Sequence, residues 1–257
     1  MKLSIRSIGS LFVAATAIIS SASAQDPAPS AKELAKTLGA GIQDGNSVVR
    51  LKMETSSKTV LQLQIKSRRT VSTTELVYQV MWPKDRKGEG FLLKKSGSRA
   101  TSGNLLTLSN TLKNLTATDL KAGIFGSDLS YEDLVENFYN WDDQAILRTE
   151  VVDRVSCQVL ESKPGGSPSP YSKVQSWIDL KRMVPLRVDK YGSSGKLERR
   201  VLTTRVAKND DGHQVPASFS VQGADLGTPT IIEGSSVKHD VKFTDADFAP
   251  AAIGDLK

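Results

Sequence analysis

Apolar and polar residues alternate one by one along most of the chain, beginning near Ser47. Three early runs carry an apolar residue at every second position, namely Val49, Leu51 and Met53; Leu61, Leu63 and Ile65; and Leu76, Tyr78, Val80 and Trp82. This period of two predicts antiparallel strands with one oily face and one face in water. Pro83 ends the third strand, because proline has no N–H to donate to a neighbouring strand.

Further strands follow the same pattern at regular intervals. They are predicted at 91–95, near 105–108, and at 145–152, 155–161, 172–179, 184–191, 196–207, 213–221 and 231–243. Turn signals rich in Gly, Asp, Ser and Pro separate them, as at 163–170 and 192–195. Short strands at this spacing indicate an all-β sheet or barrel. No internal repeat and no linker divides the chain, so the sequence predicts one domain.

Two short stretches switch to the periodicity of a helix. Ser30 and Glu33 form a capping box, and Leu34, Leu38 and Ile42 follow at helical spacing, which predicts a helix over 31–43. A second capping box pairs Ser130 with Asp133, in which each side chain bonds the backbone N–H of the other residue. The apolar side of this second helix is formed by Tyr131, Leu134, Val135 and Phe138.

The first 24 residues have the composition of a secretory signal peptide. Lys2 and Arg6 form a basic start, an apolar stretch covers 8–19, and small residues at 21–24 provide a cleavage site after Ala24. The apolar stretch is shorter than a comfortable membrane span, so a retained anchor is less favoured. The sequence therefore predicts export, with a single domain over 25–257. No cysteine lies near the cleavage point to carry a lipid.

Composition excludes several classes of protein. The chain has 34 Lys and Arg against 28 Asp and Glu, and the signal removes two of the cations, so the remainder is only mildly basic. That charge is well short of what nucleic-acid binding requires. Cys157 is the only cysteine, which excludes an intramolecular disulfide and leaves stability to the apolar core.

The sequence offers few candidate catalytic residues. His213 and His239 are the only histidines, and neither has a neighbour at metal-ligand spacing. The sequence has no nucleophile elbow, phosphate loop or dinucleotide fingerprint. The carboxylate pairs Asp142-Asp143 and Asp210-Asp211 lie in turns, where adjacent side chains rarely face one site. We therefore expect no enzyme, no metal and no cofactor.

The run Phe125-Gly126-Ser127-Asp128-Leu129-Ser130-Tyr131-Glu132-Asp133-Leu134 resembles the signature of the exported LolA-like outer membrane lipoprotein-sorting family. Other segments match the family in the same order: Met81-Trp82-Pro83 before 87–93, Trp177-Ile178-Asp179 before Val184-Pro185-Leu186, and the closing segment 243–248. One departure concerns 106–119, which is rich in Thr, Ser and Asn where relatives commonly carry an arginine-rich stretch.

The resemblance implies a mainly β (α+β) fold, in which a single curved antiparallel sheet forms an incomplete β-barrel closed by short helices. It also implies a monomeric periplasmic carrier of a lipid or lipoprotein acyl chain, with an inner-membrane lipid exporter of the RND type as partner. The alternative is an accessory module that docks onto such an exporter and binds no lipid. A periplasmic hydrolase would instead need a polar pocket joining His213 or His239 to a carboxylate.

The oily sides of the strands and helices supply the candidate lining of an acyl-chain cavity. They are Leu34, Leu38, Met53, Leu61, Leu63, Ile65, Leu76, Tyr78, Val80, Trp82, Phe91, Leu93, Leu134, Phe138 and Trp177. Burial of alkyl carbon provides about 0.8 kcal/mol per CH₂, so such a lining needs no catalytic group to hold its ligand. The same residues would also serve as an ordinary filled core.

Overall fold

The computed structural model describes residues 29–42, 45–97, 99–166, 168–209 and 212–256. Thirteen strands form one antiparallel sheet in the order β6-β5-β4-β3-β2-β1-β13-β12-β11-β10-β9-β8-β7. The strands are β1 (Asn46–Glu54), β2 (Val60–Arg69), β3 (Thr73–Trp82), β4 (Gly90–Ser96), β5 (Ser102–Leu106), β6 (Leu112–Asn114), β7 (Asp143–Val152), β8 (Val155–Lys163), β9 (Lys173–Asp179), β10 (Val184–Tyr191), β11 (Leu197–Lys208), β12 (Gln214–Gln222) and β13 (Thr230–His239).

The sheet consists of two meanders that meet where the first strand pairs with the last. From this central pair, β1 to β6 follow in order to one edge of the sheet, and β13 back to β7 follow to the other edge. Val49 of β1 lies opposite both Ile65 and Val237. The two edges, β6 and β7, are not paired with each other, so the sheet is unclosed. The predicted mainly β fold with a single unclosed antiparallel sheet is confirmed.

Short helices lie across the sheet, and three of them are α-helical. They are α1 (Ala31–Ile42), α2 (Ala117–Lys121) and α3 (Tyr131–Val135), with further single turns of 3-10 helix such as Phe138–Asn140. The predicted capping box of α1 is present, since the Ser30 N–H donates to Glu33 Oε2 at 2.9 Å. Among the helices described, none is long and apolar enough to cross a membrane.

The predicted elements differ from the structure in four places. Strand β6 and helix α2 were not predicted, because both are short and polar. The second predicted helix ends at Val135, where Glu136 adopts an extended conformation, so Phe138 belongs to a separate turn. The last strand ends at His239 rather than at 243. The predicted signal peptide and its cleavage after Ala24 lie outside the described residues.

The C-terminal residues pack on the outer face of β3 and β4. Phe248 and Ile253 are fully buried there against Val77 and Leu92. The side-chain amide of Gln79 donates to the carbonyl oxygens of Ala252, Ile253 and Asp255 at 3.1, 3.0 and 2.9 Å. The opposite, inner face carries the helices and most of the apolar core.

Candidate functional site

Most of the predicted lining residues lie together on the inner face of the sheet, but they are packed rather than open. A first inner cluster contains Met53, Leu61, Leu63, Ile65, Leu76, Tyr78, Val80, Phe91 and Leu93, with Leu134 packed against it. A second inner cluster contains Leu34, Leu38 and Phe138 with residues of β8, β9 and β10. The side chains of both clusters are buried by helices and by one another.

Two predicted lining residues, Trp82 and Trp177, lie elsewhere. A β-bulge between β2 and β3 places Trp82 opposite Gln62 instead of continuing the row that pairs Val80 with Leu63. The extra residue turns Trp82 to the outer face, where 49% of it is exposed. Trp177 is buried on the outer face, in a third cluster with Cys157 and Val159. On the same strand, Val174 and Ile178 point inward instead.

The signature segment, residues 125–134, contributes to the cover of the first inner cluster. Phe125 and Gly126 both have positive φ, at 51° and 83°, and fold the chain back on itself. The turn is closed by the Ile124 N–H, which donates to the carbonyl oxygen of Leu129 at 2.7 Å. Ser127 Oγ accepts from the Leu129 N–H at 3.2 Å. Together with α2, this loop and α3 form the covering segment, residues 117–135.

Aromatic stacking attaches the covering segment to the sheet. The Phe91 ring stacks on Tyr78 of the neighbouring strand, with centroids 4.7 Å apart and planes inclined by 13°. Two rings of the covering segment contact Phe91 from the other side. The Tyr131 ring meets it edge-on with centroids 4.7 Å apart, and the Phe125 centroid lies 5.3 Å from that of Phe91. Burial raises the pKa of Tyr131 to about 12, so its hydroxyl stays neutral at physiological pH.

A polar link joins the same segment to β13. Thr230 Oγ1 donates to Asp128 Oδ2 at 2.8 Å and accepts from the Asp128 N–H at 3.1 Å. Thr230 is fully buried, so these two bonds also satisfy its hydroxyl away from water. The signature residue Asp128 therefore fixes the covering segment to a strand 102 positions later in the chain.

Asp133 is the centre of a buried ionic cluster, which the sequence reading did not identify. Its carboxylate makes the predicted capping box, accepting from the Ser130 N–H at 2.8 Å. It also accepts from Lys190 Nζ and from the Tyr171 hydroxyl, both at 2.6 Å, and pairs with the guanidinium of Arg199. The side chain of Asp133 has no solvent exposure, and that of Lys190 is 6% exposed. The capping pattern predicts only the local contacts of Asp133, because Lys190 lies on β10, Arg199 on β11 and Tyr171 just before β9.

The charges of this ionic cluster determine the protonation of Asp133. Burial by itself would raise the pKa of this carboxyl, but the nearby Lys190 and Arg199 outweigh it and hold the pKa well below its usual range. Burial together with the negative charge of Asp133 raises the pKa of the Tyr171 hydroxyl, so this hydroxyl stays protonated. With one carboxylate and two cations, the cluster carries a net positive charge in the interior.

One strip of the inner face is left partly uncovered by the helices. It comprises Val49, Leu51, Phe219 and Val237, of which the first three are partly buried against the first inner cluster and Val237 is 48% exposed. Strand pairing places the strip on the same face as Ile65 and Leu63. A cavity of about 340 Å³ lies at the same strands but mainly on their other, polar face, since Arg50, Lys52 and Gln62 form most of its wall.

A second cavity, the rim cavity, has a volume of about 250 Å³ and a mixed polar and apolar wall. It lies between the end of α1, the hairpin joining β2 to β3, the end of β4 and the stretch 135–141. Val135 in its wall belongs to the first inner cluster, and Trp141 and Ile42 pack in the second. The rim cavity therefore lies where the two inner clusters meet.

Among the described residues, neither His213 nor His239 lines either of the two cavities. His213 is an exposed residue of the turn before β12, and its backbone N–H donates to Asn209 Oδ1 at 2.8 Å. His239 lies at the end of β13. In the part of the chain that the structure describes, no three His, Cys, Asp or Glu side chains gather as a metal site would require. The pair Asp210-Asp211 lies outside the described residues.

Gly123 is required by the close return of the signature loop. A Cβ at this position would lie 1.9 Å from the carbonyl oxygen of Ser127. We therefore expect Gly123→Ala to lower the free energy of unfolding by about 1–3 kcal/mol, the usual cost of overpacking, as measured by urea denaturation. Gly41→Ala, in α1 with open space around it, should instead stabilise the protein slightly. A Gly123→Ala protein as stable as the wild type would contradict the described loop.

Comparison with solved structures places this fold in a known class. A DUF1329 family protein from Desulfovibrio piger has a TM-score of 0.78 and 20% identity, covering 87% of this chain and 97% of its own. A protein from Vibrio parahaemolyticus, provisionally assigned as an outer membrane lipoprotein-sorting protein domain, has a TM-score of 0.75 and 20% identity, covering 88% and 98%. A LolA superfamily protein from Nitrosomonas europaea has a TM-score of 0.66 and 19% identity, covering 86% and 98%.

The fold is therefore that of the LolA-like class, as the signature predicted. A family model described as an uncharacterized protein matches residues 72–255, more than half of the chain. The chain belongs to that family. No curated protein matches its sequence.

Proposed function

We propose that the protein is a non-enzymatic periplasmic carrier that shields an acyl chain of a lipid or lipoprotein during transfer between the inner and outer membranes. The observation that carries the proposal is the partly uncovered apolar strip of Val49, Leu51, Phe219 and Val237. The LolA-like fold supports it. The predicted division into a signal peptide and a single domain over 25–257 belongs to the same proposal.

The energetics suit a carrier that binds by burial alone. Each CH₂ removed from water contributes about 0.8 kcal/mol, so a long acyl chain offers on the order of 10 kcal/mol before the cost of ordering it. The strip provides an apolar surface on which the acyl chain can first bind. Full burial requires the covering segment to move, because this segment occupies the space over Tyr78 and Phe91.

The attachments of the covering segment then set the cost of opening. They are the bonds of Asp128 to Thr230, the ionic cluster around Asp133, and a hydrogen bond at 3.1 Å from Arg69 to the carbonyl oxygen of Leu134. A partner that binds the open state better than the closed state would drive release of the ligand. An inner-membrane lipid exporter of the RND type is the partner we propose for this step.

A second function is favoured by one specific observation. The predicted lining residues of the first inner cluster are at most 8% exposed, as in a filled core. A module with a filled core would dock onto an exporter and bind no lipid. Binding of the purified protein to a reconstituted exporter, without any fatty-acid binding, would favour this function over the carrier.

A charge placed on the strip tests the carrier directly. We expect Val237→Glu to weaken binding of a fluorescent fatty acid by at least tenfold, because the carboxylate would lie beside the bound chain. Ser236→Glu is the matched control, since the neighbouring residue of β13 faces the other side and lies opposite Arg50. Equal affinities for the two variants in a titration at micromolar protein would count against the strip as the binding surface.

A further inference from the structure

The rim cavity contains charges of both signs. Arg69 and Lys95 line it together with Glu136 and Asn137. Arg69 is held in place by its hydrogen bond to Leu134 and by a second one, at 3.2 Å, to Ser67 Oγ. Lys95 takes part in none of the ion pairs found among the described residues, although its charge acts on the Glu136 carboxyl in the same wall.

The acidic part of the wall is formed by the residues that follow α3. Trp141 Nε1 donates to Glu136 Oε1 at 3.2 Å, which orients this carboxylate. Burial raises the pKa of Glu136, while Lys95 and Lys190 favour its charged form. The Glu136 carboxyl thus interacts with cations of both the rim cavity and the buried ionic cluster.

Asn137 supplies an acceptor without a donor. Its Oδ1 is buried and has no hydrogen-bond partner in the described part of the chain. A buried carbonyl oxygen without a partner costs about 1–3 kcal/mol, so most such groups in proteins are paired. This oxygen lies close to Gly39 of α1, so rotation of the side-chain amide toward the cavity would bring it to an N–H donor of a ligand and remove that cost.

From these contacts we infer that the rim cavity binds a phosphoethanolamine group, with its phosphate at Lys95 and Arg69 and its ammonium at Glu136 and Asn137 Oδ1. The Thr70 and Thr73 hydroxyls of the hairpin bond each other at 2.7 Å, which leaves one of their two O–H groups as a donor for a phosphate oxygen. The volume of about 250 Å³ suits a head group rather than a whole lipid. A choline group is disfavoured, because it has no N–H to offer Asn137.

The position of the rim cavity connects this inference to the proposed function, on which it rests. Ile65, Ser67 and Arg69 follow one another on the inner face of β2, and Ile65 lies opposite Val49 of the strip. At roughly 3.3 Å per residue, Arg69 is about 13 Å from that point along the strand. Once the covering segment has moved, a phospholipid with its head group in the rim cavity could therefore lay its acyl chain along β2 toward the strip.

Calorimetric titration with short-chain lipids tests the inference. We expect dihexanoyl phosphatidylethanolamine to bind at least tenfold more tightly than the phosphatidylglycerol and phosphatidylcholine lipids of the same chain length. Lys95→Gln should weaken binding of the phosphatidylethanolamine about tenfold. Lys94→Gln is the matched control, because the adjacent lysine is on the outer face and pairs with Glu75 at 3.0 Å.

A second variant separates recognition from folding. Glu136→Gln keeps an oxygen for Trp141 but removes the charge, so we expect it to erase the preference for phosphatidylethanolamine while its binding of phosphatidylglycerol is not weakened. Thermal unfolding of each variant shows whether the fold is intact. Equal binding of all three lipids by the wild type, with no effect of Lys95→Gln, would overturn the inference.

The outcomes distinguish this inference from the carrier proposal. Fatty-acid binding without head-group preference would overturn the head-group site and leave the carrier intact. Binding of free phosphoethanolamine without any fatty-acid binding would overturn the carrier and support the rim cavity as a site for a soluble ligand. Binding of neither would overturn both proposals.

Discussion

Replacing Asp133 with alanine is expected to lower the free energy of unfolding by about 3–5 kcal/mol, the usual effect of removing one partner from a buried ion pair. Lys190 and Arg199 would be left as buried cations, and the Tyr171 hydroxyl would lose the acceptor at 2.6 Å. In a chain of this size such a loss lowers the melting temperature by about 10 °C. Differential scanning calorimetry at neutral pH measures it directly.

Glu132→Ala is the matched control for this variant. Glu132 precedes Asp133 in the same helix and is partly exposed, and it takes no part in the ion pairs of the described residues. We expect its melting temperature to stay within about 2 °C of the wild type, as for most surface substitutions. A similar small shift for Asp133→Ala would mean that the ionic cluster contributes little to stability.

The same cluster predicts a dependence of stability on pH. The folded pKa of Asp133 is lowered, so its contribution to stability is complete above its unfolded pKa of about 4 and is lost as the pH falls below that value. Between pH 5 and pH 3 the wild type should therefore lose more stability than Asp133→Ala. Parallel acid titration curves for the two proteins would contradict this assignment.

Replacing Phe91 with alanine is the second change with a large expected effect. The ring is fully buried and contacts Tyr78 beside it, and Tyr131 and Phe125 above it. Loss of a buried Phe side chain costs about 3–5 kcal/mol, and part of the cost is the cavity that it leaves. Because two of its contacts belong to the covering segment, hydrogen exchange at residues 124–131 should accelerate more than exchange in β9 and β10.

Phe243→Ala provides the comparison for this variant. Phe243 is partly buried on the outer face, where it meets Phe248 edge-on at 5.2 Å. We expect a smaller loss of stability and no change in exchange at 124–131. If Phe91→Ala accelerates exchange evenly over the whole sheet, the ring does not hold the covering segment in particular.

The sequence was sufficient to predict the elements that depend on local pattern. Alternation predicted most of the strands, because a sheet with one buried face repeats every two residues. Both capping boxes were readable from the spacing of Ser30 with Glu33 and of Ser130 with Asp133, since these contacts span only three residues. The signature at 125–134 predicted the LolA-like fold as a whole.

Contacts between distant residues were not readable in the same way. The partners of Asp133 on β10 and β11 are 57 and 66 positions away, and no local pattern marks which lysine or arginine will face a given carboxylate. Trp82 was assigned to the wrong face because alternation assumes a regular ladder, and one extra residue in a bulge reverses every position after it. The exposure of the strip depends on how far the helices extend over the sheet, and the alternation within the strands does not predict that.

The pairing of β1 with β13 has a consequence for the biogenesis of the protein. Ser235 donates to the carbonyl oxygen of Arg50 across 185 positions of sequence, so the two meanders join only when nearly the whole chain is present. Closing so long a loop makes folding slow. The two halves of the sheet can therefore be joined only late in synthesis, after the ribosome has made β13.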